Sequence, residues 1–246
     1  MMDPSFRRLA LAVGVAMTFA CADQSWRREP PAMPEQMQIV FPLLECVRVG
    51  QGPRICVVEL PHSPIVALSV SLSVGARHDP ADAPGTAEGT IAALLAARDE
   101  QGVPVLETSL GELGGPVVAL VTAEGASLST FTLPQRLAPA LRILTDAVMA
   151  PQLGQQATGA ARADQCRAAT EVLGDPDTLA HLAMRRALLP KRHPGALPAL
   201  RTQICQEPLD AARAVELARQ FIVPANVAVL VAGPVKTDEV VQFVTQ

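Results

Sequence analysis

The chain of 246 residues has no tyrosine, one tryptophan and only 18% charged residues. Its formal net charge is −4, and lysine and arginine form no cluster along it. Because neutralising phosphates requires clustered basic side chains, this composition argues against a nucleic-acid partner. The sequence also lacks a G-x-S-x-G motif, a phosphate-binding loop, a complete dinucleotide fingerprint and any C-x-x-C pair. These absences argue against serine-hydrolase, nucleotide-binding, zinc-knuckle and thioredoxin-like chemistry.

What the chain does contain is a hydrophobic content of 49% together with 22 prolines. This apolar content is sufficient for a proper core. Proline at this level predicts many short elements with firm boundaries rather than disorder, since the apolar content stays high throughout.

The N-terminus reads as an export signal over residues 1–22. Arg7 and Arg8 precede an apolar run that is too short to cross a bilayer comfortably. Two processing routes stay open, namely cleavage before Asp23 or lipidation of Cys21 as in a bacterial lipoprotein. We expect residues 23–36, which are rich in proline, to form a tether. Either route predicts an exported protein of the periplasm or cell envelope.

Export makes the remaining four cysteines relevant, because they form an even number in a compartment that permits disulfides. Cys46 and Cys56 flank a Gly-Gln-Gly-Pro turn on two arms of a predicted hairpin, so a cross-strand bond is geometrically feasible. Cys166 and Cys205 could form a second bridge. Buried free thiols are the alternative, and the spacing does not decide between them.

Hydrophobic periodicity predicts strands and helices without strict βαβ alternation. Residues 65–74 alternate apolar with small or polar residues, which is typical of a half-buried strand. Residues 86–97 have the composition of a helix, and a second helix at 104–113 is expected to stop at Gly114, with glycine in the left-handed conformation. We therefore predict an α+β fold in which helices pack on a largely antiparallel sheet, over residues 37–246.

Several segments resemble, in order and spacing, the pitrilysin/insulinase/mitochondrial-processing-peptidase family of zinc metallopeptidases. The resemblance covers about 200 residues and rests on five stretches: Ser63–Asp79, Leu113–Gly115, Leu133–Pro151, His193-Pro194 and Phe221–Val235. It implies one pitrilysin-like half domain, a fold related to LuxS and to the processing peptidases.

The family's zinc helix reads G-x-A-H-x-x-E-H, and this chain departs from it at every functional position. Glu88 stands at the first histidine, Ile91 at the general base and Ala92 at the second histidine. The distal glutamate ligand should fall near Ala168 or Ala169, which cannot bind metal. Val118 replaces an asparagine on the family's substrate-facing edge strand. The four histidines, His62, His78, His181 and His193, have no metal-ligand spacing.

The resemblance therefore implies a catalytically inactive homologue without zinc. Active members enclose a chamber between two homologous halves, so we expect this chain to associate with another half. That half could be a second copy or a separate active subunit, and the chain would act as a partner, scaffold or peptide-binding subunit. Two alternatives stay open: a zinc-dependent metalloendopeptidase with an atypical site, and a structural envelope lipoprotein anchored in the membrane through Cys21.

Overall fold

The computed structural model describes residues 41–80, 82–99, 102–172, 174–190, 205 and 209–245. The predicted signal (1–22) with Cys21, the tether (23–36) and His193 lie outside these residues and stay predictions. No helix within the described part of the chain is long and apolar enough to cross a membrane.

Six strands form one sheet: β1 Leu44–Arg48, β2 Arg54–Glu59, β3 Val66–Leu72, β4 Val118–Val121, β5 Ala126–Thr132 and β6 Val227–Gly233. Their order across the sheet is β1-β2-β6-β3-β5-β4. Four of the five strand pairings are antiparallel, and only β2 and β6 run parallel. The predicted α+β class with a largely antiparallel sheet is therefore confirmed.

Seven α-helices occur in the described ranges, and all but Pro176–Leu188 contribute buried side chains to the core. They are α1 Thr86–Ala96, α2 Val105–Gly111, α3 Leu137–Met149, α4 Gln155–Val172, α5 Pro176–Leu188, α6 Ala211–Phe221 and α7 Thr237–Thr245. Helix α4 begins at Gln155, before the Ala160 expected from the sequence. This helix has a low overall hydrophobicity, so its start is hard to recognise from the sequence. Its buried face is formed by small side chains that include Ala157 and Ala161.

Strand β3 shows how the core is built. Val66, Leu68, Val70 and Leu72 are buried, while the residues between them are half-buried on the other face. Successive side chains of a strand point to opposite faces, so this alternation places one continuous apolar layer under the helices. Strands β5 and β6 alternate in the same way and extend that layer.

The prediction of a left-handed glycine after α2 is wrong. The only described glycines with positive φ are Gly50, Gly85 and Gly102. Gly114 is needed for a different reason, because a Cβ there would lie 2.5 Å from the Phe131 carbonyl oxygen and 2.7 Å from the Cα of Thr132. This glycine lets the chain pass directly over β5, and no larger residue fits without moving a backbone.

Candidate functional site

Helix α1 begins at a turn that a carboxylate holds in place. Gly85 adopts φ +83°, a conformation that glycine tolerates and other residues rarely adopt. The two carboxylate oxygens of Asp79 accept hydrogen bonds from the backbone N–H groups of Gly85 and Ala87, each at 2.6 Å. Asp79 thereby caps the N-terminus of α1 from outside the helix and complements its dipole.

The three positions singled out from the sequence all lie on α1, in different surroundings. Glu88 and Ala92 are one helical turn apart and share a face, with Glu88 exposed and Ala92 half-buried. Ile91 is fully buried in the hydrophobic core. Of the three residues, only Glu88 has a side chain that can bind a cation or transfer a proton.

Helix α4 contributes Gln165, which the sequence reasoning missed. This buried side chain donates from Nε2 to the Gly85 carbonyl oxygen at 3.0 Å, and it is also hydrogen-bonded to Glu88. Its Oε1 accepts from Nη1 of Arg162 at 3.3 Å. Gln165 therefore links the first turn of α1 to α4, across 80 residues of sequence.

The close approach of these helices depends on a missing side chain. A Cβ at Gly89 would lie 2.9 Å from Oε1 of Gln165 and 2.8 Å from Cδ2 of Leu209. Glycine in a helix interior costs about 1 kcal/mol relative to alanine. The space at this position is instead occupied by Gln165, which fits against the α1 backbone.

The pKa values of the two carboxyl groups at this site, Asp79 and Glu88, are both raised. Glu88 as a whole residue is exposed, yet desolvation by surrounding protein atoms is the largest cause that raises the pKa of its carboxyl. The hydrogen bond from Gln165 opposes this shift, the charge of Asp79 adds to it, and the Arg162 guanidinium opposes it. Burial also raises the pKa of Asp79, against the backbone N–H bonds and the charges of His78 and Arg162.

These residues do not fit the zinc site that the fold implies. Both Asp79 oxygens are engaged by backbone N–H groups, and a guanidinium lies near Glu88. Zinc in proteins takes three or four ligands from cysteine, histidine and carboxylates. Within the described ranges, no group of three or more such side chains could hold a metal ion.

The two expected distal-ligand positions lie on the last turns of α4. Ala168 is exposed and Ala169 is half-buried, one turn beyond Gln165 on the same side of the helix. The residue of α4 that is hydrogen-bonded to Glu88 is Gln165, one turn before these two alanines. The signal for it was present in the sequence, because Gln165 is the one long polar side chain on a stripe otherwise formed by Ala157, Thr158 and Ala161.

The second notable surface is the sheet face away from the helices, which we call the open sheet face. Its large side chains are apolar and accessible, with 53% of Leu44, 60% of Val118, 61% of Leu120, 56% of Phe131 and 36% of Leu230 exposed. By strand register, serine and alanine occupy most positions between them. Among the described strand residues on this face, the only charged ones are Arg48 and Arg54 at one edge.

Two disulfides are present in the structure. Cys46–Cys56 joins directly paired residues of β1 and β2, with Cα atoms 4.1 Å apart. Cys166–Cys205 joins α4 to the described residue of the following segment, with Cα atoms 5.1 Å apart. The second bond starts at the residue after Gln165 and closes a loop that contains α5.

Several solved structures contain this architecture as one part of a longer chain. An inactive M16 peptidase domain from Pseudomonas fluorescens superposes with a TM-score of 0.72 at 19% identity, over 82% of this chain and 49% of that one. A Helicobacter pylori protease gives 0.73 at 16% identity, over 82% and 49%. The Escherichia coli periplasmic protease PqqL gives 0.71 at 15% identity, over 82% and 23%.

This chain has the fold of a pitrilysin-like half. At these identities the likeness establishes the fold alone, and the half spans about half or less of each solved structure cited here. No protein-family model and no curated protein sequence matches the chain.

Proposed function

We propose that this pitrilysin-like half is a non-catalytic subunit that binds a second half of the same fold. The observation that carries the proposal is the open sheet face, which exposes five large apolar side chains and, among the described strand residues, carries charge only at Arg48 and Arg54. Exposed apolar patches of this kind mark sites of protein association. A second half placed over the face would remove these side chains from water.

The proposed lack of catalysis rests on the donor set at α1. A metallopeptidase requires ligands that hold the metal and a base that activates water. Ala92 and Ile91 provide neither, and Glu88 is a single carboxylate hydrogen-bonded to Gln165. We also propose that the protein is exported. Such a half would act by binding its partner, without taking part in chemistry.

The free edge of the sheet adds a second binding feature. Strand β4 lies at the end of the strand order, so its outer backbone groups have no strand partner among those described. An extended peptide can pair with such an edge, with side-chain contacts setting its specificity. Val118 and Leu120 lie on this strand with their side chains on the open sheet face, so we propose that the partner or its peptide also contacts β4.

The experiment that tests the proposal is a binding measurement with a matched control. Phe131→Glu places a charge on the open sheet face, and Met184→Glu places one on α5 at a residue of similar exposure, 51% against 56%. Burying a phenylalanine contributes about 1.5–3 kcal/mol, so we expect Phe131→Glu to weaken association about 10-fold to 100-fold. Met184→Glu should leave association unchanged.

The binding partners in this assay are defined proteins. The purified chain is measured against itself by sedimentation, and against a pitrilysin-family protein from the same source that has an intact H-x-x-E-H helix. If Phe131→Glu raises the dissociation constant for one of these partners, the proposal is supported for that partner. Equal effects of the two variants, or no association with either partner at high concentration, would contradict it.

A further inference from the structure

The junction of α1 and α4 is held by side chains in a way that requires no metal. Helix α1 packs against α4 and α6, and its first turn contains Gly85 and Glu88. In a zinc site, ligands from separate helices are held together by the ion they share. Here the groups that meet at the junction are an amide, a guanidinium, a carboxylate and a backbone carbonyl.

Both N–H donors of the Gln165 amide, and its oxygen, have hydrogen-bond partners. Its two N–H donors have two acceptors, the Gly85 carbonyl oxygen at 3.0 Å and the Glu88 side chain, and its oxygen accepts from Arg162 at 3.3 Å. Within the described part of the chain, no buried side-chain nitrogen or oxygen is left without a partner. A buried polar group that is fully paired stabilises one arrangement, because any other arrangement leaves donors or acceptors without bonds.

We propose that Gln165 is an interhelix clamp that fastens the first turn of α1 to α4 without any metal ion. Arg162 orients the amide oxygen, and Gly89 provides the space for the amide against α1. Removing the amide takes away one of the two hydrogen bonds that the Gly85 carbonyl oxygen accepts, the other coming from the Gly89 N–H at 2.9 Å, and it removes the hydrogen bond that ties Glu88 to Gln165. The clamp concerns only the folding of this half, so its tests are independent of the tests of partner binding.

The first test is equilibrium urea unfolding of the full chain with its disulfides intact. Gln165→Ala removes the hydrogen bonds of a buried amide to Gly85, Glu88 and Arg162, so we expect it to raise the unfolding equilibrium constant about tenfold or more. Gln156→Ala removes an exposed glutamine from the same helix and should change it less than about twofold. Addition of zinc or of a chelator should leave the wild-type midpoint where it is.

Two further measurements separate a clamp from general packing. In a double-mutant cycle, the double variant Gln165→Ala with Glu88→Ala should raise the unfolding equilibrium constant by less than the product of the two single fold-changes. The reason is that both substitutions break the same hydrogen bond. Hydrogen exchange measured on a peptide that spans α1 should be faster in Gln165→Ala. The same peptide in Gln156→Ala should exchange as it does in the wild type.

Gln165→Glu serves as the conservative variant if Gln165→Ala does not fold. An ionised glutamate keeps the shape but cannot donate to the Gly85 carbonyl, whereas a protonated one can. The charged groups facing this position are Glu88, Asp79 and Arg162, with His78 beyond Asp79, while Arg213 of α6 is paired with Asp82 at 2.9 Å. We therefore expect Gln165→Glu to be less stable than the wild type at neutral pH and to recover as the pH falls.

Three results would overturn the clamp. One is a Gln165→Ala variant as stable as Gln156→Ala. Another is a zinc-dependent rise of the wild-type unfolding midpoint that Glu88→Ala abolishes. The third is a Gln165→Glu variant whose stability relative to the wild type does not change with pH.

Discussion

Substitution of Glu88 by glutamine should change how the stability of this half depends on pH. The pKa of the Glu88 carboxyl in the folded chain lies above its ordinary value of 4.5, chiefly through desolvation. The folded chain therefore binds this proton more tightly than the unfolded chain does. The free energy of unfolding consequently rises as the pH falls through the raised pKa towards 4.5, and it is lower at neutral pH. Asp79 contributes with the same sign.

Glutamine at position 88 removes this contribution but keeps an oxygen that can accept from Gln165. One pKa unit corresponds to about 1.4 kcal/mol, but Glu88 is exposed and solvent screens its charge. We therefore expect Glu88→Gln to be more stable than the wild type by about 0.5 kcal/mol at pH 7. The difference should fade towards pH 4.5, where the wild-type carboxyl becomes protonated in both states.

The assay is urea denaturation at half-unit steps of pH between neutral and the ordinary carboxyl value, with both proteins in the same buffers. Glu171→Gln is the control, because Glu171 is an exposed carboxylate on α4. The free energy of unfolding of this control should differ from that of the wild type by the same amount at every pH. A Glu88→Gln variant that is less stable than the wild type at neutral pH and equal to it only at low pH would contradict this expectation, since that pattern requires a carboxylate stabilised by its charge.

Three further predictions concern the framework around the site. Gly75→Ala should cost about 2–3 kcal/mol in urea denaturation, because its Cβ would lie 2.4 Å from the Thr122 carbonyl oxygen, and an unchanged midpoint would contradict this. Ile91→Glu places a carboxylate at a fully buried position and should cost about 4 kcal/mol or prevent folding. Circular dichroism would report the loss of structure, and a stable variant would mean that this face of α1 reaches water. The paired change Cys166→Ser with Cys205→Ser opens a loop with a sequence separation of 39, for which chain entropy predicts a loss of about 4 kcal/mol. Equal denaturation midpoints for this variant and the oxidised wild type would show that the bond is not formed in solution.

Most of the architecture could be predicted from local patterns. The alternation along β3 predicted a strand with one buried face, and the Gly-Gln-Gly-Pro turn predicted the β1–β2 hairpin, because both features depend on neighbours in sequence. Gly114 was correctly noticed but wrongly explained. Its requirement comes from the backbone of β5 at Phe131, 17 residues further along the chain, which no local rule considers.

The candidate site was predictable only in part, for the same physical reason. Local helical periodicity places Glu88, Ile91 and Ala92 on α1. The residue that meets Glu88, however, comes from α4, and only tertiary packing decides that Gln165 rather than Ala169 lies against it. The open sheet face was likewise not anticipated, since it becomes visible only when the strand order brings Leu44, Phe131 and Leu230 onto one side.

The central claim is that this pitrilysin-like half does not cleave peptides, and direct measurement of hydrolysis tests it. The purified chain, supplemented with zinc, is incubated with a set of unstructured peptides, and the products are identified by mass spectrometry with and without a chelator. No chelator-sensitive cleavage is expected. Cleavage that the chelator abolishes and that Glu88→Gln also removes would contradict it, because that carboxylate would then belong to a working metal site.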